Sequence, residues 1–214
     1  RLLEAALVAA VDHGPQAPSI ATARMAVTCG LGLNGALASA VNMLDDVHGG
    51  AGEQAVELYG MITNAMETGQ STQDAAKHAI DTWRRDRSDF IPGFGHRFHK
   101  PEDPRAPRLL ALVDDAAAAG TVSGQFAEIG RAVQTVLDTR KGKPVPMNID
   151  GATAVIYAEL GFAAPLARGL FCLSRSVGIL AHAWEQMQQG GRNKGPTPPR
   201  YRWRYDGPNP IDAD

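Results

Sequence analysis

The chain has 214 residues, a formal net charge of −2 and a composition that is 44% hydrophobic and 21% charged. These values are typical of a globular protein with a substantial core, in one domain or in one domain with a small subdomain. The near-neutral charge gives no basis for a nucleic-acid partner or for attraction to an anionic membrane. Charged residues interrupt each apolar run before it reaches the length of a membrane span, so no membrane segment is expected.

The predicted elements are almost all helices. Apolar residues recur at helical spacing, few runs alternate with period two and β-branched residues are sparse, which predicts an all-α fold. In chain order the predicted helices cover residues 2–11, 19–29, 36–44, 52–66, 72–84, 106–119, 125–138, 150–160 and 166–188. The Pro- and Arg-rich tail, residues 190–214, is predicted to be extended. No linker separates two stable domains, so a single domain over residues 1–214 is expected.

The cysteines and histidines predict neither a disulfide framework nor a metal site. Cys29 and Cys172 lie far apart in apolar surroundings, which favours two buried thiols. The six histidines show no spacing typical of metal ligands, so no metal is expected. A reducing cytoplasm is the simplest location for such a chain.

A glycine motif at residues 30–35, GLGLNG, matches the dinucleotide fingerprint G-x-G-x-x-G. That fingerprint requires a preceding strand and a βαβ unit, and nothing downstream supplies parallel strands. We interpret the motif as a glycine turn or a close helix contact, and a nicotinamide-binding protein as a remote alternative.

In three short segments a histidine or an aspartate lies next to glycine in the sequence. They are DDVHGGAGE at 45–53, PGFGH at 92–96 and NIDG at 148–151, with His48, His96 and Asp150 as their reactive residues. Two imidazoles and one carboxylate can remove a proton next to a carbonyl and stabilise the resulting enolate. Adjacent glycine allows a backbone or a ligand to approach closely.

Each segment also has a structural interpretation. His48 precedes the expected start of a helix, where amide donors would keep the imidazole neutral, but it also fits a capping or turn histidine. The loop at 92–105 is rich in glycine, histidine and cations, which suits an anionic ligand, although a solvated surface loop is the alternative. Asp150 fits an N-cap of the helix that follows it.

Together with LSRSVGIL at 173–180 and DPR at 103–105, these segments resemble the citrate synthase superfamily. Within it they are most similar to citryl-CoA lyases and to the lyase module that ends ATP-citrate lyase. The resemblance covers nearly the whole chain, from residue 11 to about residue 208. It implies a citrate synthase-like helical fold, in which a small mobile subdomain at roughly residues 70–145 closes on a large helical part.

The resemblance also implies a role for each site residue. Asp150 would be the base at the acetyl group of acetyl-CoA, His48 would stabilise the enol oxygen, and His96 would polarise the ketone of oxaloacetate or hold the alcohol of citryl-CoA. The implied ligands of the substrate carboxylates are His13, Arg105, Arg175 and Arg200, and the implied coenzyme A contacts are Gly93, Gly95, Lys100, Lys143 and Asn148. Coenzyme A thioester is then a substrate, and no bound cofactor is implied.

Partners and reaction direction follow from the same resemblance. Arg200 resembles an arginine that family members insert into a neighbour's site, which implies a homodimer or a higher homo-oligomer. The short chain favours citryl-CoA lyase, whereas a histidine at position 48 is more typical of a synthase, so a citrate or 2-methylcitrate-type synthase is the alternative. A further alternative from a different class is a non-catalytic acyl-CoA-binding module.

Overall fold

The computed structural model describes residues 1–97, 99 and 101–195, and these contain nine helices and no strand. The helices are α1 (Leu2–Ala9), α2 (Pro18–Thr28), α3 (Leu33–Val41), α4 (Ala51–Glu67), α5 (Thr72–Asp86), α6 (Ala106–Ala118), α7 (Gln125–Lys141), α8 (Ile149–Glu159) and α9 (Ala164–Gln189). The all-α prediction is confirmed, and the helix ends differ from the predicted ones by at most three residues. Most of the tail predicted to be extended lies outside the described residues.

Local sequence accounts for several helix ends. Ser71 accepts a hydrogen bond from the Asp74 N–H and caps α5. Proline occupies the first turn of α2, α6 and α9, where its missing N–H costs no hydrogen bond. Gly142 ends α7 in the left-handed conformation that glycine adopts without strain.

Buried side chains form two hydrophobic clusters. The first contains residues of α1 and of all five helices from α4 through α8, and the fully buried Tyr59 and Tyr157 are among its largest members. The second joins α2 and α3 to α9 through residues such as Ile20, Phe171 and Ile179. Helix α9 belongs to both, because Ala167 near its start packs into the first cluster. The proposed mobile subdomain at 70–145 covers α5 to α7, which pack in the first cluster, and its mobility stays a prediction.

Helix α9 is long and apolar. Within the described residues it is the one helix whose length and composition would allow it to cross a membrane, with a mean hydropathy of 1.2 and one third of that window buried. The inner face of α9, which includes the buried Arg175, packs against α2, α3 and α4. The opposite face carries an exposed apolar row, called here the outer stripe: Leu166, Leu173, Val177, Leu180, Trp184 and Met187.

The glycine motif at 30–35 covers the turn between α2 and α3 and the first three residues of α3. Residues 25–28 before it are helical, and Gly30 has a φ of 102°, which only glycine adopts readily. The motif is therefore a helix–helix turn, as interpreted from the sequence. The burial predicted for Cys29 is wrong: this residue ends α2 at the surface and is exposed, whereas Cys172 is half-buried.

Candidate active site

A cavity of about 280 Å³ lies where the two hydrophobic clusters meet. Seven residues predicted for the site line it: His13, His48, Gly95, His96, Asp150, Asn148 and Arg175. These residues come from five separate stretches of the chain, so the fold brings together what the sequence shows only as scattered segments. The volume is slightly below the range of about 300–1,000 Å³ that is typical of ligand cavities, which suits a small ligand.

His48 lies in a tight turn before α4. The Asp45 N–H donates to the His48 carbonyl at 2.9 Å, and α4 starts at Ala51 after Gly50, so His48 precedes a helix as expected. Its Nε2 accepts the Ser19 N–H at 3.2 Å and lies 2.9 Å from the Ser19 Oγ. Ser19 is in the first turn of α2, where backbone N–H groups have no partner within the helix. The imidazole therefore satisfies a donor at the N-terminus of α2.

This contact determines the tautomer of His48. A backbone N–H can only donate, so Nε2 must carry a lone pair and the proton of the neutral ring lies on Nδ1. Burial lowers the pKa of His48, and the charges of Arg175 and His13 lower it further. His48 is thus a neutral imidazole with a hydrogen-bond donor at Nδ1.

The same logic applies to His96 with the nitrogens exchanged. The His99 N–H donates to the His96 Nδ1 at 2.9 Å, so the proton of the neutral ring lies on Nε2. Burial is the largest cause that lowers the pKa of His96, followed by the charge of His99, while Asp103 acts in the opposite direction. Two neutral imidazoles with opposite tautomers therefore line the cavity.

Asp150 lies in the first turn of α8. Asn148 caps this helix, because its Oδ1 accepts the N–H groups of Asp150 at 3.0 Å and Gly151 at 3.2 Å. The alternative that Asp150 is the N-cap is therefore wrong, and its carboxylate is available to the cavity. Burial raises the pKa of Asp150, which the nearby charges of Arg175 and Arg105 oppose. A carboxylate with a raised pKa is a stronger base.

A contact between two glycines places the loop at 92–96 against α8. A Cβ on Gly151 would lie 2.3 Å from the Gly93 carbonyl oxygen, so a larger residue cannot fit without a backbone shift. Gly93 has a φ of 82°, and its carbonyl accepts the Asn148 N–H at 2.9 Å. The Asn148 Nδ2 donates to the Gly95 carbonyl at 2.8 Å. Main-chain contacts therefore hold His96 next to the first turn of α8.

The cationic residues differ in how they are held. Arg175 is 5% exposed, its Nε donates to the Ala10 carbonyl at 3.1 Å, and its guanidinium lies 4.8 Å from the centre of the Phe171 ring. Arg105 binds the buried Asp103 with two hydrogen bonds, at 3.0 and 2.8 Å. Burial and the charges of both arginines lower the pKa of His13. These cations make the cavity suitable for carboxylates.

Comparison with known proteins identifies the family. The family profile described as "Citrate synthase, C-terminal domain" matches residues 1–202. The chain belongs to the citrate synthase family. This family is enzymatic and includes citrate synthases and citryl-CoA lyases.

Individual relatives agree with this assignment. The chain is 31% identical to citryl-CoA lyase from Hydrogenobacter thermophilus, with a TM-score of 0.79, over 98% of this chain and 77% of that one. It is 32% identical to a citrate synthase from Acidithiobacillus ferridurans over 66% of this chain and 35% of that protein. It shares the fold of ATP citrate lyase from Methanothrix soehngenii, solved with citrate and coenzyme A, at 22% identity and a TM-score of 0.76, over all of this chain and 35% of that one. The chain spans half or less of the length of the first curated relatives.

Several predicted residues of this family member lie away from the cavity lining. Arg105 acts on the cavity through its charge, Gly93 packs against α8, and Lys143 is exposed on the turn after α7. Lys100 and Arg200 lie outside the described residues. Their coenzyme A and carboxylate contacts stay predictions.

One group near the cavity has the residue types of a metal site. Potential ligand atoms of His96, His99 and Asp103 lie within 4.8 Å of one another. However, Asp103 is paired with Arg105 through both oxygens, and the His96 Nδ1 accepts a backbone N–H. These contacts already use Asp103 and the His96 Nδ1, so we interpret the group as a hydrogen-bonded cluster next to the cavity, which His96 lines.

Two residues of the site have no signal in the sequence. Ser19 determines the His48 tautomer through its backbone, and a backbone donor leaves no trace in residue type. Phe171 lies under both Arg175 and Gly49, and in the sequence it is one apolar residue of a long helix. Position in the first turn of a predicted helix is the one property that could have indicated Ser19.

Proposed function

We propose that this chain carries a citryl-CoA lyase active site, which splits citryl-CoA into acetyl-CoA and oxaloacetate and is able to join them in reverse. The observation that supports it most directly is that Asp150, His48 and His96 line one cavity beside Arg175. The reaction requires a base that forms the enolate of the thioester, one hydrogen-bond donor at the enolate oxygen and a second donor at the ketone oxygen.

The proposed roles follow from the protons already located. In the joining direction Asp150 takes the α-proton of the acetyl thioester, and the His48 Nδ1–H donates a hydrogen bond to the enolate oxygen that forms. The enolate carbon then attacks the oxaloacetate ketone and its C=O π bond breaks, and the His96 Nε2–H stabilises the resulting alkoxide and gives it the proton of the citryl-CoA hydroxyl. The proton on Asp150 is released and His96 is reprotonated, so that no net proton is consumed. Cleavage runs through the same contacts in reverse order. One preorganised donor at such an oxygen is worth about 3 kcal/mol.

The dicarboxylate is proposed to bind to the cationic side of the cavity. Arg175 is buried and lines the cavity, and its fork suits a carboxylate geometrically. His13 lines the same cavity, and Arg105 is held nearby by Asp103. One arginine and one imidazole therefore line a space that fits a small acid, and the charge of Arg105 acts on it from nearby.

The lyase is favoured by the strength of the structural similarity. The related citryl-CoA lyase matches this chain at 31% identity and a TM-score of 0.79, against 25% identity and a TM-score of 0.70 for a citrate synthase from Pyrobaculum aerophilum. The alternative is a citrate or 2-methylcitrate-type synthase, which would also hydrolyse the thioester. The similarity to curated citrate synthases supports this alternative.

Acyl-CoA is proposed as the second substrate. A structural neighbour was solved with citrate and coenzyme A, which supports a coenzyme A thioester as substrate. Lys143 is exposed on the turn after α7, and we propose that its ammonium group contacts a phosphate of coenzyme A, because an exposed ammonium pairs with a phosphate at little desolvation cost.

Product analysis tests the proposal. The protein is incubated with citryl-CoA, and separately with acetyl-CoA and oxaloacetate, and products are identified by mass spectrometry. Acetyl-CoA and oxaloacetate from citryl-CoA support the lyase, whereas citrate and free coenzyme A from the second mixture support the synthase. Binding of acyl-CoA without turnover in either mixture would leave a non-catalytic binding module and contradict the proposal.

A homodimer in the cytoplasm is part of the proposal. The outer stripe of α9 supports self-association, because its six apolar side chains are between 41% and 61% exposed and none is charged. Apolar area of this kind on a soluble chain is typical of an interface. Sedimentation velocity should give the mass of a dimer, and an active monomer would contradict it.

A further inference from the structure

Helix α9 carries three basic side chains at intervals of seven residues: Arg168, Arg175 and His182. Seven residues are close to two helical turns, so the three side chains share one face at intervals of about 10 Å. Arg175 lines the cavity, whereas the other two do not. Each of them instead binds a carboxylate in a segment that carries a histidine of the site.

Arg168 holds the turn of His48 from both sides. Its guanidinium contacts Asp45 and Asp46, which begin the turn, and Glu53, which lies in the first turn of α4 after it. The Asp45 N–H in turn donates to the His48 carbonyl at 2.9 Å. One arginine thus connects the residues before His48 with the residues after it.

The ring of Phe171, one turn further along α9, completes this contact. A Cβ on Gly49 would lie 3.0 Å from the Phe171 ring, so the turn rests directly on α9. Asp45 and Asp46 are 79% and 75% exposed, and exposed ion pairs contribute at most about 1 kcal/mol of stability each. Loss of these ion pairs is therefore expected to change the position of His48 more than the free energy of unfolding.

His182 holds the segment of His13 in a comparable way. Its Nε2 lies 3.0 Å from the Asp12 Oδ1, and the same oxygen accepts the Gly14 N–H at 3.2 Å. Gly178, one turn before His182, lies against the Val11 carbonyl, because a Cβ there would be 2.1 Å from that oxygen. Asp12, which precedes His13, therefore binds both Gly14, which follows it, and His182 of α9.

We propose that Arg168 and His182 are positioning residues, which place His48 and His13 in register with Arg175 without touching the substrate. This inference rests on the proposed function of the same cavity. Because His48 acts on the enolate and His13 on a carboxylate, the two residues affect different kinetic constants. Loss of Arg168 lowers kcat, and loss of His182 raises the KM for the dicarboxylate.

The test uses the intact chain with R168Q, R168K, H182A and H182Q, and with R85Q as control. Arg85 forms an exposed ion pair with Asp86 within α5, so R85Q removes a comparable pair away from the site. Misplacement of a reacting group by about 1 Å costs up to about a hundredfold, so we expect R168Q to lower kcat by about tenfold or more with KM within threefold of wild type. H182A should raise KM by about tenfold and change kcat less. R168K and H182Q, which retain a charge or a donor, should recover part of each loss.

The nitrogen-15 shifts of the imidazoles give a second readout that does not depend on turnover. R168Q should convert His48 from a single Nδ1–H tautomer to a mixture, and H182A should change the resonances of His13 but not those of His48. If the wild-type protein acts on neither substrate, the proposed function fails while these shifts still decide the inference. Wild-type shifts in both variants, or an active enzyme in which both variants match R85Q within twofold, would overturn it.

Discussion

The two sides of the cavity are held by different sets of contacts. On one side, the segments of His13 and His48 depend on α9, which binds them mainly through charged side chains such as Arg168, together with one close contact of Gly178 with the Val11 carbonyl. On the other side, His96 and Asp150 depend on main-chain contacts, the closest of which joins Gly93 to Gly151. Ion pairs tolerate small shifts, whereas a backbone contact at van der Waals distance does not. We call these the α9 side and the α8 side.

The largest effect is expected on the α8 side, from D150N. The amide cannot accept the α-proton, and loss of a general base costs about 10²–10⁴-fold, so kcat should fall by about a thousandfold. The melting temperature should stay at or above the wild-type value, because a carboxylate whose pKa is raised by desolvation is replaced by a neutral amide. Turnover by D150N within tenfold of wild type would show that Asp150 is not the base. D115N, an exposed aspartate of α6, is the matched control.

On the α9 side the largest expected effect is from R175M. A hydrogen bond to a charged group contributes about 1.5–3 kcal/mol, so the KM for the dicarboxylate should rise by about tenfold to a hundredfold, with a smaller change in kcat. R175K retains the charge without the fork and should recover part of the affinity. Calorimetric titration with oxaloacetate measures the loss. An unchanged dissociation constant in R175M would place the carboxylate elsewhere.

The close packing of the α8 side can be tested with G151A. The added methyl group meets the Gly93 carbonyl, and overpacking of this kind costs about 1–3 kcal/mol of unfolding free energy. Activity should fall as well, because the loop of His96 is displaced. G60A in α4 is the control, since nothing lies within 4 Å of a Cβ there and alanine favours the helix. Equal stability of the two variants in urea unfolding would contradict the close contact.

The smallest expected effect is a pH dependence of stability from both sides. The pKa values of His13, His48 and His96 are lowered in the folded chain, so the unfolded chain binds more protons just below pH 6.5. Their contribution to stability is therefore complete above pH 6.5 and is lost as the pH falls through that value.

The H48N variant measures how much the His48 imidazole contributes to the pH dependence of the free energy of unfolding. Its free energy of unfolding should rise less steeply than that of wild type between about pH 5 and pH 6.5. Asp150 acts in the opposite direction, because its raised pKa costs stability once the pH exceeds the unfolded value, 3.8. A steeper rise in H48N than in wild type would contradict the lowered pKa of His48.

The helices were predictable because each buries one face, and the apolar period of that face is visible in the sequence. Exact ends were less predictable: α3 begins at Leu33, three residues before the predicted start, because the extended Gly32 already provides its N-cap. Asn148 and Asp150 are both good caps by residue type, and only the geometry shows that Asn148 is the one used.

That His48, His96 and Asp150 lie at one cavity was predictable mainly because their glycine-flanked segments together resemble one family, and their catalytic roles stay predictions. Their orientation was not predictable, because it depends on backbone atoms that every residue shares. The N–H groups of Ser19 and His99 determine the tautomers of His48 and His96. The exposure of Cys29 was missed for a related reason, since apolar neighbours in sequence do not show which helix end reaches solvent.

The N–H groups of Ser19 and His99 also determine which substitutions at these two positions leave the tautomers of His48 and His96 unchanged. Every amino acid except proline carries the same amide hydrogen, so nineteen kinds of residue at either position can preserve the proton pattern of the facing imidazole. The identities of residues 19 and 99 are consequently poor guides to whether a homologue is active. A proline at either place would be the informative exception.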